Sequence, residues 1–417
     1  MTTWWHGNRH TLSRAVRPGR RTPRVILVLG ALVLALALAA HWKDTLAVHG
    51  SDLGRRLIGA HNTVRIEAIY FKAEDTMARL KYRLFGGGGG SPVSGPVRQR
   101  ELPAAGAGSP PAATASPAAV QVEPLPQPAA ADTPPAPVPE IYPHAPSKGE
   151  GVWAALRLAG PLLTAYTARH PIFTTFVRPD AARPYATVTL AAFDAASISL
   201  HPVAGTQDPG GPLGVHGPGD IPASVLHGGA LIAAFNGGFR WDDGRYGMIV
   251  DGRVITPMRD GLATLATYRD GSFRFGIWGS DVGPAPDLVS ARQNGIFLID
   301  HDAVSPKIDA GGETWGWVFY KSRQFYTART AIGLTADGRF VFAAGHDVDA
   351  RTLATAMQRA GVVTAMQLDI NSPYSQMALY EDQLGTLRGF NLTDWMAASP
   401  AGFFAGRTRD FVYMTIR

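Results

Sequence analysis

Three apolar runs in this chain begin or end on polar or charged side chains that could gather at the edge of a sheet to form a binding or catalytic site. The run from Ala230 to Phe235 closes on Asn236-Gly237-Gly238-Phe239. That sets a side-chain amide beside two residues that tolerate positive φ and let a ligand come close to the backbone. The run VVTAMQL closes on Asp369, with Asn371 and Ser372 just beyond it. Arg329 opens the third run, in TARTAIGLTADG, and its planar fork of donors matches phosphate or carboxylate oxygens. Each residue also has an ordinary reading. Asn236 satisfies its own backbone in a tight turn, Asp369 caps a turn, and Arg329 pairs with an acidic residue. Convergence of the three on one cleft is what separates the two readings.

A second carboxylate is less defined. Asp347 in GHDVD, Glu313 in GGETW and Asp251 are the candidates. His346 with Asp347 is the one hint of a metal ligand pair, and histidines 201, 216, 227 and 301 lack zinc spacing. No metal site and no cofactor are therefore expected, and a divalent cation has nothing more to support it. Ser372 precedes Pro373 and lacks a G-x-S-x-G elbow, which disfavours acyl transfer. The absence of cysteine removes thiol nucleophiles, disulfides and thiolate metal sites together.

The elements that must position these residues read as hairpins. Strand-Asp-Gly-strand units recur at 246–257, 262–279 and 329–345, and 185–194 with 197–205 reads as a further hairpin. Val152 to Thr167 alternates weakly, and Pro161 breaks any long helix there. Asp349 caps a helix whose Leu353, Ala354, Met357 and Ala360 share a face and which Gly361 stops. That helix delivers the chain into a buried strand, 362–369. Loops 206–222 and 300–320 frame the site. The fold class is α+β: a mixed, largely antiparallel sheet of hairpins with packed helices.

Upstream, the composition changes. Residues 1–149 hold 17 Lys+Arg against 9 Asp+Glu, whereas 150–417 hold 22 against 24, so the basic balance belongs to the N-terminal part and nucleic acid is not an expected partner. A basic stretch, 1–24, precedes the uncharged VILVLGALVLALALAA and its continuation to Trp42. Residues 25–42 are expected to span a membrane as a retained signal-anchor with the N-terminus inside, rather than a cleaved signal peptide. Residues 43–85 read as a juxtamembrane helical stalk able to self-associate or to lie on the membrane, with Ile66, Ile69, Ala73, Met77, Leu80 and Leu84 at helical spacing. Residues 86–148 are Gly-, Pro- and Ala-rich and read as a disordered linker, and 149–417 as the globular domain. The expected location is the bacterial inner membrane, single-pass, with the C-terminal domain periplasmic or extracellular.

The order strand-NGGF, Asp-Gly hairpin, RTAIG, helix, strand-LD resembles the phosphodiester glycosidase domain family over about 185–415. The family's LDGGGS reads here Leu368-Asp369-Ile370-Asn371-Ser372, with two glycines replaced. The resemblance implies hydrolysis of a sugar-1-phosphodiester at the anomeric carbon–oxygen bond. Asp369 would serve the developing positive charge, Arg329 the phosphate, Asn236 a sugar hydroxyl or phosphate oxygen, and Asp347 the second carboxylate. Gly237, Gly238, Asn371, Ser372, Glu313 and Trp315 would line the substrate, an envelope or extracellular glycan, with Ile370 narrowing the site. The alternative is a non-catalytic glycan- or wall-binding module whose Trp241, Trp315, Trp317 and Tyr374 stack on sugar rings.

Overall fold

The computed structural model describes residues 57–86, 93, 132–142, 145, 147–311, 314–316 and 326–417. The expected membrane span at 25–42, the stalk before residue 57, most of the expected linker, Glu313 and Trp317 lie outside them. Among the described residues no helix is long and apolar enough to cross a membrane. The described residues belong to one compact unit, 51–417.

In chain order the elements are α1 (Ala60–Phe85), β1 (Ala154–Leu156), α2 (Pro161–Arg169), β2 (Ile172–Val177), β3 (Val188–Asp194), β4 (Ile198–Val203), α3 (Ala223–His227), β5 (Leu231–Asn236), β6 (Met248–Val250) and β7 (Arg253–Thr256). They continue as β8 (Ala263–Tyr268), β9 (Phe273–Ile277), β10 (Leu288–Gln293), β11 (Phe297–Asp300), β12 (Ala303–Val304), β13 (Thr327–Thr335) and β14 (Arg339–Val348). The last are α4 (Ala350–Arg359), β15 (Val362–Ile370), β16 (Met377–Gln383), β17 (Thr386–Asn391) and β18 (Phe411–Ile416).

Three sheets form. An eight-stranded sheet runs β1-β2-β3-β14-β13-β15-β11-β12, and two five-stranded sheets run β7-β6-β10-β8-β9 and β17-β16-β5-β18-β4. Among the described residues every pairing between named strands is antiparallel, so the expected mixed sheet is in fact three antiparallel ones. The three Asp-Gly hairpins form where expected. At Asp251 and Gly252 both φ are positive, 49° and 74°, the turn that matches strand twist. Asp349 caps α4 by accepting from the Thr352 amide, and Gly361 at φ 81° stops it.

Two local readings change. Strands β3 and β4 do not pair. Asp194 caps a 3-10 turn at Ala195–Ser197 that carries the chain from the eight-stranded sheet to the β4 sheet. Pro161 starts a helix instead of breaking one, because at the first helical position its missing N–H costs nothing.

Central strands of the large sheet are buried on both faces, which is why they read as unbroken apolar runs. Phe340, Phe342 and Ala344 face the two smaller sheets with Ile232, Phe235 and Met377. Val341 and Ala343 face α4 with Leu353, Ala354 and Met357.

The packed body also begins before Gly149. Val138 is buried, its N–H donates to Gly151 O at 2.8 Å, and Trp153 Nε1 donates to Ala136 O at 2.9 Å. Helix α1 touches the same body: Arg183 Nε donates to Asp75 Oδ1 at 3.0 Å, the Tyr185 hydroxyl donates to it at 2.7 Å, and the Arg183 guanidinium lies 3.5 Å over the Tyr326 ring.

Candidate functional site

The strand ends do meet, though Asn236 and Asp369 come from different sheets. Strand β5 ends on Asn236 and β15 nears its end at Asp369, and Asp369 N donates to Gly237 O at 2.9 Å. The Asn236 side chain is buried and spent on the junction itself. Its Nδ2 donates to Thr330 Oγ1 at 2.9 Å, and its Oδ1 accepts from the Gln376 amide at 3.0 Å. Thr330 Oγ1 in turn donates to Asp369 O at 3.1 Å. Asn236 thus ties β5, β13, β15 and the start of β16 together. It holds the carboxylate's strand and presents no amide to a ligand.

The two glycines answer to packing. A Cβ on Gly237 would lie 1.9 Å from Asp410 Oδ2, and one on Gly238 would lie 3.0 Å from Arg292 Cζ. Neither residue has positive φ. Beneath them Arg292 and Asp410 form a buried pair, Nε to Oδ2 at 2.8 Å and Nη2 to Oδ1 at 3.0 Å, while Gly238 N donates to Asp410 Oδ2 at 3.1 Å. Gly237→Ala is accordingly expected to lower stability by roughly 3 kcal/mol, since the ion pair cannot recede from the new methyl. An unchanged thermal midpoint would show that the pair gives way.

The carboxylate of Asp369 is 9 % exposed and lies against Arg409, in the loop that precedes β18. Its Oδ1 accepts from Ile370 N at 2.9 Å, and its Oδ2 accepts from Arg409 Nη1 at 3.0 Å. Arg409 Nε also lies 3.1 Å from Asp208 Oδ2, and its guanidinium sits 3.9 Å over the Tyr374 ring. Beside them Arg240 Nε donates to Asp243 Oδ2 at 3.0 Å. Burial pushes the carboxyls of Asp369 and Asp208 each up to about 6, although the Arg409 charge pulls both down. Burial alone would lower Arg409, but Asp369, Tyr374 and Asp208 together raise it and keep it cationic.

Arg329 is elsewhere. Its guanidinium is buried and donates to Val348 O at 3.1 Å, Trp315 O at 2.8 Å and Gln367 Oε1 at 3.1 Å. Burial lowers it to about 10, with Asp349 opposing. It fastens the 314–316 turn and the end of β14 to the sheet, so the arginine in contact with Asp369 is Arg409. Trp315 is buried as well, donating through Nε1 to Lys307 O at 3.0 Å.

Asp347 has φ 56°, and its Oδ2 lies 2.9 Å from His346 Nδ1. Its backbone oxygen accepts from Arg183 Nη1 at 2.5 Å. Asn371 has φ 75°, with N donating to Ala328 O and Oδ1 accepting from Thr327 Oγ1 at 2.8 Å. Asparagine is among the non-glycine residues that tolerate that conformation. Ile370 is buried against Gly316. Ser372 lies half-buried in the 371–376 loop. Tyr374 lies under Arg409, and the backbone N–H of Trp241 donates to Pro209 O at 2.7 Å. Among the described residues no group of three His, Asp or Glu side chains is placed to hold a metal ion.

Arg409 and Asp208 are the site residues that sequence reasoning passed over, whereas Tyr374, expected to stack on a sugar ring, has the Arg409 guanidinium over its own ring. A carboxylate and an arginine in bonding contact, beside a second and partly exposed carboxylate, suit recognition of an anionic ester and proton transfer at it.

Residues 229–369 match the family model described as phosphodiester glycosidase, a stretch that contains Asn236, Arg329 and Asp369 but stops before Arg409. No curated protein matches the chain. Among solved structures it is similar to the zebrafish N-acetylglucosamine-1-phosphodiester alpha-N-acetylglucosaminidase catalytic domain auto-inhibited by its pro-peptide, at 16% identity over 59% of this chain and 82% of that one, TM-score 0.36. It is also similar to a hypothetical protein from Synechocystis, at 14% identity over 59% of this chain and 62% of that one, TM-score 0.35. A putative exported protein from Burkholderia pseudomallei matches at 11% identity over 55% and 74%, TM-score 0.29.

Proposed function

We propose, from the premise that residues 229–369 are a phosphodiester glycosidase segment, that this protein hydrolyses the glycosidic bond of a sugar-1-phosphodiester. The observation that carries this reading is the Asp369–Arg409 contact at the end of β15, with Asp208 on the same guanidinium.

A phosphodiester keeps one negative charge, and Arg409 has five N–H donors to offer it, more than its two carboxylate contacts occupy. The departing phosphomonoester is stable as an anion, so the leaving side needs little acid assistance. At the sugar, C1 gains positive charge as the bond opens, and Asp369 stands where an ionised carboxylate steadies it. The guanidinium therefore holds the departing charge while the carboxylate answers the developing one. The arginine-rich N-terminus and the apolar 25–42 stretch support a membrane-anchored protein acting on an envelope or extracellular glycan.

The full-length chain should release sugar, followed by NMR, from a panel that includes UDP-N-acetylglucosamine and the methyl phosphodiester of N-acetylglucosamine-1-phosphate. Arg409→Gln should raise KM about 10- to 100-fold, the value of one charge-assisted contact to phosphate. It should also move the acidic limb of the rate profile to higher pH, because Arg409 lowers both carboxyls and its loss lets them rise above about 6. Release that is indifferent to this change, or no release by the wild-type chain, would count against the reading.

A further inference from the structure

A hydrolysis at C1 needs a group to take a proton from water, and Asp369 is poorly disposed to be that group. Both of its oxygens are engaged, one by the Ile370 amide and one by Arg409, and its side chain is nine-tenths buried.

Asp208 stands on the other side of the same guanidinium. It bonds Arg409 Nε while Asp369 bonds Nη1, so one guanidinium holds both carboxylates with their bonded oxygens within roughly 8 Å of each other, the range of carboxylate pairs that work on one sugar carbon. Its side chain is 19% exposed, about twice the fraction for Asp369, which leaves it the readier of the two to meet water.

The loop that carries Asp208 is zipped to the loop that carries Arg409. Thr206 N donates to Arg407 O at 3.0 Å, Gln207 N to Thr408 O at 3.1 Å and Asp208 N to Thr408 O at 2.9 Å. The loops touch so closely that a Cβ on Gly205 would lie 2.2 Å from Thr408 O. Such fastening holds a catalytic group in place without the side chain having to fill a core. The neighbouring carboxylate, Asp243, is instead turned onto Arg240 by two contacts, 3.0 and 3.4 Å.

We infer that Asp208 is the second carboxylate of the reaction, the base that takes the proton of the attacking water, an assignment that rests on the glycosidase reading above. The water oxygen bonds to C1 and the C1–O bond to the phosphate breaks, its electron pair staying on the phosphate oxygen. The water proton passes to Asp208 and from there to solvent. The products are the free sugar and a phosphomonoester. Asp208 must be ionised to act, and the charges that bear on it are Arg409, which favours ionisation, and Asp410, Asp369 and Asp243, which oppose it.

The test compares the full-length wild type with D208N, D208E and D208A on UDP-N-acetylglucosamine and the methyl phosphodiester, with kcat and KM measured from pH 4 to 9. D208N should lose about 10²- to 10⁴-fold in kcat with KM within threefold, and its acidic limb near pH 6 should become shallower, with the Asp369 ionisation alone remaining of the two. D208E should keep more activity than D208N, and sodium formate should restore part of the D208A rate. Turnover that persists in D208N with the slope of the limb unchanged, or a change confined to KM, overturns the assignment and leaves the glycosidase reading standing. No turnover by the wild type on either compound overturns both.

Discussion

Asp369→Asn is expected to lower kcat by about 10² to 10⁴ while the protein stays folded, a loss as large as that expected of D208N. Asparagine keeps the shape of the carboxyl and can still accept from Ile370 N, and Arg409 retains Asp208 as a partner. What is lost is the charge facing C1. The pH dependence of stability should change along with activity. Burial raises the Asp369 carboxyl to about 6, against Arg409 and the Ile370 amide, so the native chain holds this proton more tightly than the unfolded chain, where the group sits near 3.9. The resulting stabilisation is fully present below about pH 4 and is lost as pH rises through about 6. The asparagine variant has no such slope. Thermal melts of both proteins from pH 4 to 8, beside kcat, check the two halves together. A variant that turns over normally, or that unfolds at every pH, would remove Asp369 from the chemistry.

Arg292→Met should give the largest loss of stability. Arg292 and Asp410 are almost wholly buried, and the pair supports three things at once. Arg292 Nη2 donates to Phe239 O at 2.7 Å, Asp410 O accepts from Gly237 N at 3.0 Å, and Asp410 is the residue after Arg409. Leaving Asp410 charged, buried and unpaired costs about 3–5 kcal/mol, enough to lower the melting temperature by roughly 10 °C in a domain of this size. The Met side chain fills much of the volume, so the loss reflects charge rather than a cavity. A small shift would mean that water reaches Asp410 and that the pair is not the floor of the site.

How far the sequence reveals all this differs from element to element. The Asp-Gly turns and the Asp349-capped helix depend on neighbours within a few residues, and those features form as read. Asp369 was recognisable because it ends an apolar strand. Arg329 has the same local look as a ligand-binding arginine, but its partners are the carbonyls of Trp315 and Val348, which no side-chain pattern announces. Arg409 opens a strand in TRDFVY without any motif, and Asp208 reads as a turn residue in TQDPGG. Backbone pairing between two distant loops makes them neighbours, a relation that exists only once the sheets have formed. The pair β3 and β4 fails for the same reason: strand propensity is local, whereas the choice of partner strand is not.

The contact of Asp75 on α1 with Arg183 alters what the Gly-, Pro- and Ala-rich stretch can mean for the molecule. The body holds the chain at α1 and again at Val138, so the segment between them is a closed circuit rather than a leash. The length of such a circuit does not set how far the domain travels. Its closure entropy depends only on the logarithm of its length, about 0.6 kcal/mol for each doubling. Arg183→Met should therefore free the earlier anchor while Val138 still holds the later one.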